Sequence, residues 1–180
     1  MPFVEISEED YRRLQQLAGI FDVPQVITRL LDQYEFEEDE TPAKAPTKPI
    51  ERMTFGISEL PNLSFAKFES GTIDGVRPAS NNWNSLMALA LKTAHDKLGN
   101  FDELTRVTSI NLIEEVKEDE GYTELTGHNL SYQRQSATLA AKCIAQICKN
   151  LEMSLQIDFR WRHREGAEHP GQTGRIVSTG

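Results

Sequence analysis

The chain has 180 residues, of which 38% are hydrophobic, 26% charged and 8% aromatic, the composition of a soluble globular protein with one domain or two small ones. This excludes a collagen-like, disulfide-scaffold or wholly disordered chain, and no apolar run nears the ~20 residues that a membrane span needs. The net charge of −9 is uneven: residues 1–40 hold eleven acids and three bases, 53–130 twelve acids and six bases, and 131–180 four acids and seven bases. An acidic N-terminal part repels phosphate, so any nucleic-acid contact is expected within residues 131–180. The same charge runs also read as ordinary solvated faces. The opening Met1-Pro2-Phe3-Val4-Glu5 lacks a basic end followed by an apolar stretch, which predicts a cytoplasmic protein with no membrane partner.

Residues 1–34 read as one short strand and two helices. Val4 and Ile6 alternate with Phe3 and Glu5. Ser7 offers a helix cap, with Glu8, Glu9 and Asp10 in the first turn, where the helix dipole favours anions. Tyr11, Leu14 and Leu17 follow at helical spacing, and Gly19 supplies a stop. Asp22 caps a second helix with Pro24 in its first turn and an apolar stripe of Val26, Ile27, Leu30, Leu31 and Tyr34. So small a unit cannot bury these stripes alone, and its strand has no partner within the unit. Pairing with the same strand of a second chain answers both needs, which is the ribbon-helix-helix arrangement of an intertwined dimer.

Val4-Glu5-Ile6-Ser7-Glu8-Glu9-Asp10-Tyr11, followed by Val26-Ile27-Thr28-Arg29-Leu30-Leu31, resembles the N-terminal oligomerisation module of the SeqA family, the negative modulators of replication initiation. The resemblance covers about a fifth of the chain and implies a homo-oligomer associated with DNA, in a bacterial DNA-processing or phage-defence setting. Ribbon-helix-helix repressors read DNA with basic or amide side chains on the strand. Here the outward residues are Phe3 and Glu5, so residues 1–34 are expected to assemble copies rather than to read bases.

Residues 35–52 read as a linker: an acidic run, Glu35 to Glu40, precedes a segment with three prolines between Thr41 and Pro49. The second module, residues 53–180, reads as α+β with a small, mostly antiparallel sheet. Ser64 to Glu69 alternates as a strand, and Gly71 to Ala79 carries turn residues. Ser80 is expected to cap a helix with Trp83, Leu86, Met87, Ala90, Leu91, Ala94 and Leu98 inside, ended by Gly99. A short helix over 101–106 follows, and residues 107–117 are ambiguous between helix and strand. A helix over 136–151 places Leu139, Ala140, Cys143, Ile144, Ile147, Cys148 and Leu151 inside. The clearest strand sets Leu155, Ile157, Phe159 and Trp161 on one face against Gln156, Asp158, Arg160 and Arg162 on the other, with Arg175 to Ser178 returning beside it. This module does not resemble the mostly helical DNA-binding domain of the SeqA family.

The strongest chemical feature is the polar side of that last hairpin: Arg160, Arg162, His163, Arg164 and Arg175. Arginines at alternate strand positions stand about 7 Å apart, a spacing that suits successive phosphates. The alternative is a solvated face with Asp158 and Glu165 as partners. A second polar run, Gly127 to Gln135, precedes the 136–151 helix; it reads more simply as a loop with its own bonds than as an anion cradle, and Arg134 joins the arginine row if the two clusters meet.

An enzyme reading exists as well. Glu115-Val116-Lys117, with Asp102 thirteen residues earlier, fits the acid and lysine pattern of Mg²⁺-dependent PD-(D/E)xK nucleases. So short a pattern is nearly free in an acidic chain, no Pro-Asp pair precedes it, and solvated charges account for it better. His95, His128, His163 and His169 are scattered, and Cys143 and Cys148 are five apart, so neither a metal site nor a cofactor is expected. The sequence thus predicts a non-enzymatic homo-oligomer that binds nucleic acid or a phosphate-bearing partner through its last hairpin. A nuclease component and a protein–protein adaptor are the alternatives.

Overall fold

The computed structural model describes residues 52–179. The strand-helix-helix unit expected at 1–34 and the linker up to residue 51 lie outside the described residues. The elements in chain order are β1 (Met53–Gly56), β2 (Ala66–Ile73), α1 (Trp83–Leu98), α2 (Phe101–Val107), β3 (Leu112–Ile113), β4 (Tyr122–Leu125), β5 (Leu130–Gln133), α3 (Ala137–Asn150), β6 (Leu155–Trp161) and β7 (Thr173–Ser178). The module is therefore α+β, with three helices and two small sheets among the described residues. None of these helices is long and apolar enough to cross a membrane.

The first sheet has the order β1-β7-β6-β2. Pairs β7/β6 and β6/β2 are antiparallel, while β1 runs parallel to β7. On β6 the alternation read from sequence holds: Leu155, Ile157, Phe159 and Trp161 are buried, and Gln156 and Arg160 are exposed. That apolar face joins α1 and α3 in a single core. Aromatic rings fill much of it. Phe68 meets Trp83 edge-on at 5.3 Å, and Phe159 meets Trp161 edge-on at 4.8 Å, contacts worth about 0.5–1.5 kcal/mol each beyond their buried area. Both indoles also satisfy their N–H groups, Trp83 at Ala66 O and Trp161 at Asn62 O.

Local chemistry explains the helix ends. Asn82, rather than Ser80, caps α1: its side chain accepts the Ser85 N–H at 2.8 Å. Gly99 ends the helix with φ 77°, a left-handed conformation that costs glycine nothing. Asn100 then caps α2 through the Glu103 N–H.

Several expectations are corrected. The strand expected over 64–69 runs on to Ile73, because Gly71 is buried with Leu86 and Phe68 where its Cβ would sit, so it packs in a strand and not a turn. The ambiguous 107–117 segment ends α2 and then pairs only Leu112 and Ile113 with β5. Leu139 is half exposed, not core. The run Gly127–Gln135 is not a loop throughout: Leu130–Gln133 is a strand pairing with β4 and β3 in an antiparallel sheet of order β3-β5-β4. Its tight connection explains why it was hidden. Gly127 (φ 89°) and Asn129 (φ 49°) turn the chain in four residues, leaving strands too short for a periodic signal.

Candidate functional site

The face of the first sheet turned away from the helices carries the arginines. Register decides which of them stand together. Arg160 lies directly opposite Lys67 across the β6/β2 ladder, and Asp158 lies opposite both Arg175 on β7 and Ser70 on β2. The Arg162 N–H donates to Phe65 O and so carries the pairing two residues past Arg160. Lys67, Arg160 and Arg162 therefore occupy one corner of the sheet, with Arg164 beyond them over the Phe65 ring at 4.8 Å. Lys67 escaped sequence reading because its neighbour is set by a strand pairing almost a hundred residues away.

Arg175 has a different task. Its Nε and Nη2 donate to the two oxygens of Asp158 at 2.6 and 3.0 Å, a bidentate pair. Asp158 also accepts from Arg52, Ser70 and Gln156 at 3.2–3.3 Å. Burial pushes the Asp158 carboxyl up, but the Arg175 hydrogen bonds and the charges of Arg175 and Arg52 outweigh it and hold the group below the ordinary carboxylate range. Asp158 thus takes up Arg175, one of the two acids weighed from sequence as partners of the row.

Arg160 is less committed than Arg175. The Arg160 side chain is 49% exposed, and Glu69 at 3.6 Å is its ion-pair partner. Glu69 reaches it because the ladder slips at a bulge between Phe68 and Ser70. Arg162 and Arg164 also hold interactions within the chain. A guanidinium has five donors, so the Glu69 contact leaves Arg160 capacity for an incoming phosphate. His163 packs its ring on Gly171 and helps to shape the β6–β7 connection. Trp161 is fully buried with its N–H bonded to Asn62 O, so it belongs to the core and offers no stacking face.

Arg134 is exposed at the end of β5 in the other sheet, with its amide bonded to Gly121 O. The amides beside it are used internally. Gln135 and Asn84 exchange two hydrogen bonds, and Gln133 accepts from Asn111. The 127–135 run is thereby tied to the start of α1 and to β3.

Asp102 sits in the first turn of α2, while Glu115 and Lys117 lie on the connection between β3 and β4, outside any strand. The Lys117 ammonium is held by Glu120 and Asp119, and its backbone N–H donates to Ser131 Oγ. The acid-and-lysine pattern thus lacks the strand that fixes it in a nuclease. Cys143 and Cys148 are buried free thiols on α3, pushed up to about 11 and about 12, chiefly by burial.

One expectation about the histidines is corrected. His95 and His128, scattered in sequence, meet edge-on with ring centroids 4.9 Å apart, and Asp96 joins them. The signal that was available is the Thr126-Gly127-His128-Asn129 turn, which marks a hairpin tip, but nothing in sequence says which helix that tip touches.

Comparison with family models, with curated proteins and with solved structures returns no match to this chain.

Proposed function

We propose that this protein is a non-enzymatic nucleic-acid-binding accessory or regulatory protein of the cytoplasm, engaging phosphates through Lys67, Arg160, Arg162 and Arg164. The observation that carries the reading is the cross-strand pair Lys67–Arg160. Like charges directly opposite in a sheet are destabilising, and Glu69 offsets only part of that cost. A bound phosphate removes the repulsion. The cations follow the strand at the two-residue spacing that matches a phosphate backbone. The burial of Trp161 removes a stacking face, and the reading is of an electrostatic contact with the phosphate backbone.

Residues 1–34 are assigned the task of assembling copies, on the strength of their sequence pattern and its resemblance to the SeqA module. Two modules tethered by the 35–52 segment then bind by effective concentration, which suits a protein whose net charge of −9 opposes a single contact.

The test is fluorescence anisotropy of labelled DNA with the full chain and with Lys67→Ala and Arg160→Ala. Each variant should weaken binding several-fold while melting no lower than the parent, since it removes one charge of the repelling pair. Arg175→Ala should lower the melting temperature, because it strips Asp158 of its main partner. Equal binding by parent, Lys67→Ala and Arg160→Ala refutes the assignment and favours a protein partner.

A further inference from the structure

We propose that His95, Asp96 and His128 form a binding site for one Zn²⁺ ion. His95 and Asp96 lie in the last turn of α1, and His128 lies on the tip of the β4–β5 hairpin. One ligand atom from each residue falls within 4.8 Å of the other two. Donors 2.0–2.1 Å from a tetrahedral zinc stand about 3.3 Å apart, so the site closes with shifts of about 1.5 Å or less, within reach of side-chain rotation.

The chemistry around His128 points to a cation. Its Nε2 lies 2.7 Å from Asp96 Oδ1, and its Nδ1 lies 3.3 Å from Thr126 O. Both facing groups are acceptors. With its proton on Nδ1, facing Thr126 O, the ring leaves the Nε2 lone pair for an ion that the Asp96 carboxylate also reaches, which is the arrangement of zinc-bound histidines elsewhere. The hairpin geometry holds that carbonyl in place, since the His128 N–H donates to Leu125 O and Gly127 and Asn129 both adopt positive φ.

Electrostatics agree. The site sits at the C-terminal end of a sixteen-residue helix, where the macrodipole favours positive charge. Asp96 contributes a carboxylate whose Oδ1 faces His128 Nε2 at 2.7 Å. Lys92, one turn earlier on α1, is the cation that opposes the ion. The Asp96 side chain is 58% exposed, so an ion can enter from solvent and keep a water as fourth ligand. Two imidazoles and a carboxylate suit Zn²⁺ better than Mg²⁺ or Ca²⁺, which want an oxygen shell. The ion would pin the β4–β5 hairpin to α1, a site independent of the arginine corner.

The experiment uses the full chain stripped of metal and titrated with Zn²⁺ and, for its visible spectrum, with Co²⁺. Tryptophan fluorescence follows the melting of the described module, because the chain's two tryptophans, Trp83 and Trp161, both lie in it. The expected result is one ion per chain, a Co²⁺ spectrum of four-coordinate type, and a Zn²⁺-dependent rise in melting temperature. His95→Gln and His128→Gln should each weaken binding by about tenfold or more. Asp96→Asn, at an exposed position, provides a variant that keeps the fold. No binding at millimolar Zn²⁺ overturns the proposal, as does binding of unchanged affinity in all three variants. Mg²⁺ in place of Zn²⁺ should leave the melting temperature unmoved.

Discussion

Replacing Asp158 with Asn separates the structural arginine from the ligand-binding ones. The carboxylate accepts two bonds from Arg175 and one each from Arg52, Ser70 and Gln156. An amide keeps the shape but loses the charge, and its N–H₂ faces donors. Charge-assisted hydrogen bonds contribute about 1.5–3 kcal/mol each, but Arg175 and Arg52 are about a third exposed, so water recovers part of the loss. A net cost of about 2–3 kcal/mol follows, or about 6–12 °C in melting temperature for a module of this size.

The pH dependence gives a second check on the same variant. Because the native carboxyl titrates below its ordinary range, the ion pair contributes fully above about pH 4 and is lost as pH falls through the native value. The deficit of Asp158→Asn should be largest at neutral pH and shrink as pH falls below the ordinary carboxylate range. Tryptophan fluorescence melts at pH 7 and below pH 4 measure both. A variant as stable as the parent at pH 7, or a deficit of equal size at low pH, refutes the reasoning.

Gly174→Ala should destabilise the module by about 1–3 kcal/mol. A Cβ there would stand 2.3 Å from Phe159 Cζ, and that ring is wholly buried against Phe55, Trp83 and Trp161. A parent-like urea midpoint would contradict it. Cys143 and Cys148, with thiols pushed up to about 11 and about 12, should resist a thiol reagent at pH 8 in the native protein and react together in denaturant. Prompt reaction of the native protein would count against their burial.

What could be read in the sequence depended on whether the signal was local. The β6 strand, the α1 stripe and the Gly99 stop depend on neighbours within one element, and each stands where its pattern put it. β1, β4 and β5 have only four residues each and alternate too briefly to declare themselves. The corner of the site was half legible. Alternating arginines on β6 follow from period two, but Lys67 enters only through the β2/β6 register, and Arg175 leaves the row only because Asp158 lies opposite it. The pairing of His95 with His128 depends on a hairpin tip folding onto the end of a helix, a contact that no local pattern encodes.

The most direct test of the central claim is the salt dependence of duplex DNA binding by the full chain. If Lys67, Arg160, Arg162 and Arg164 each neutralise a phosphate, the logarithm of the binding constant should fall linearly with that of salt concentration, with a slope of about −3.6 per module, and Arg160→Ala should reduce that slope by about one. Absence of binding at about 50 mM salt, or a binding constant indifferent to salt, would contradict an electrostatic phosphate contact at this corner of the sheet.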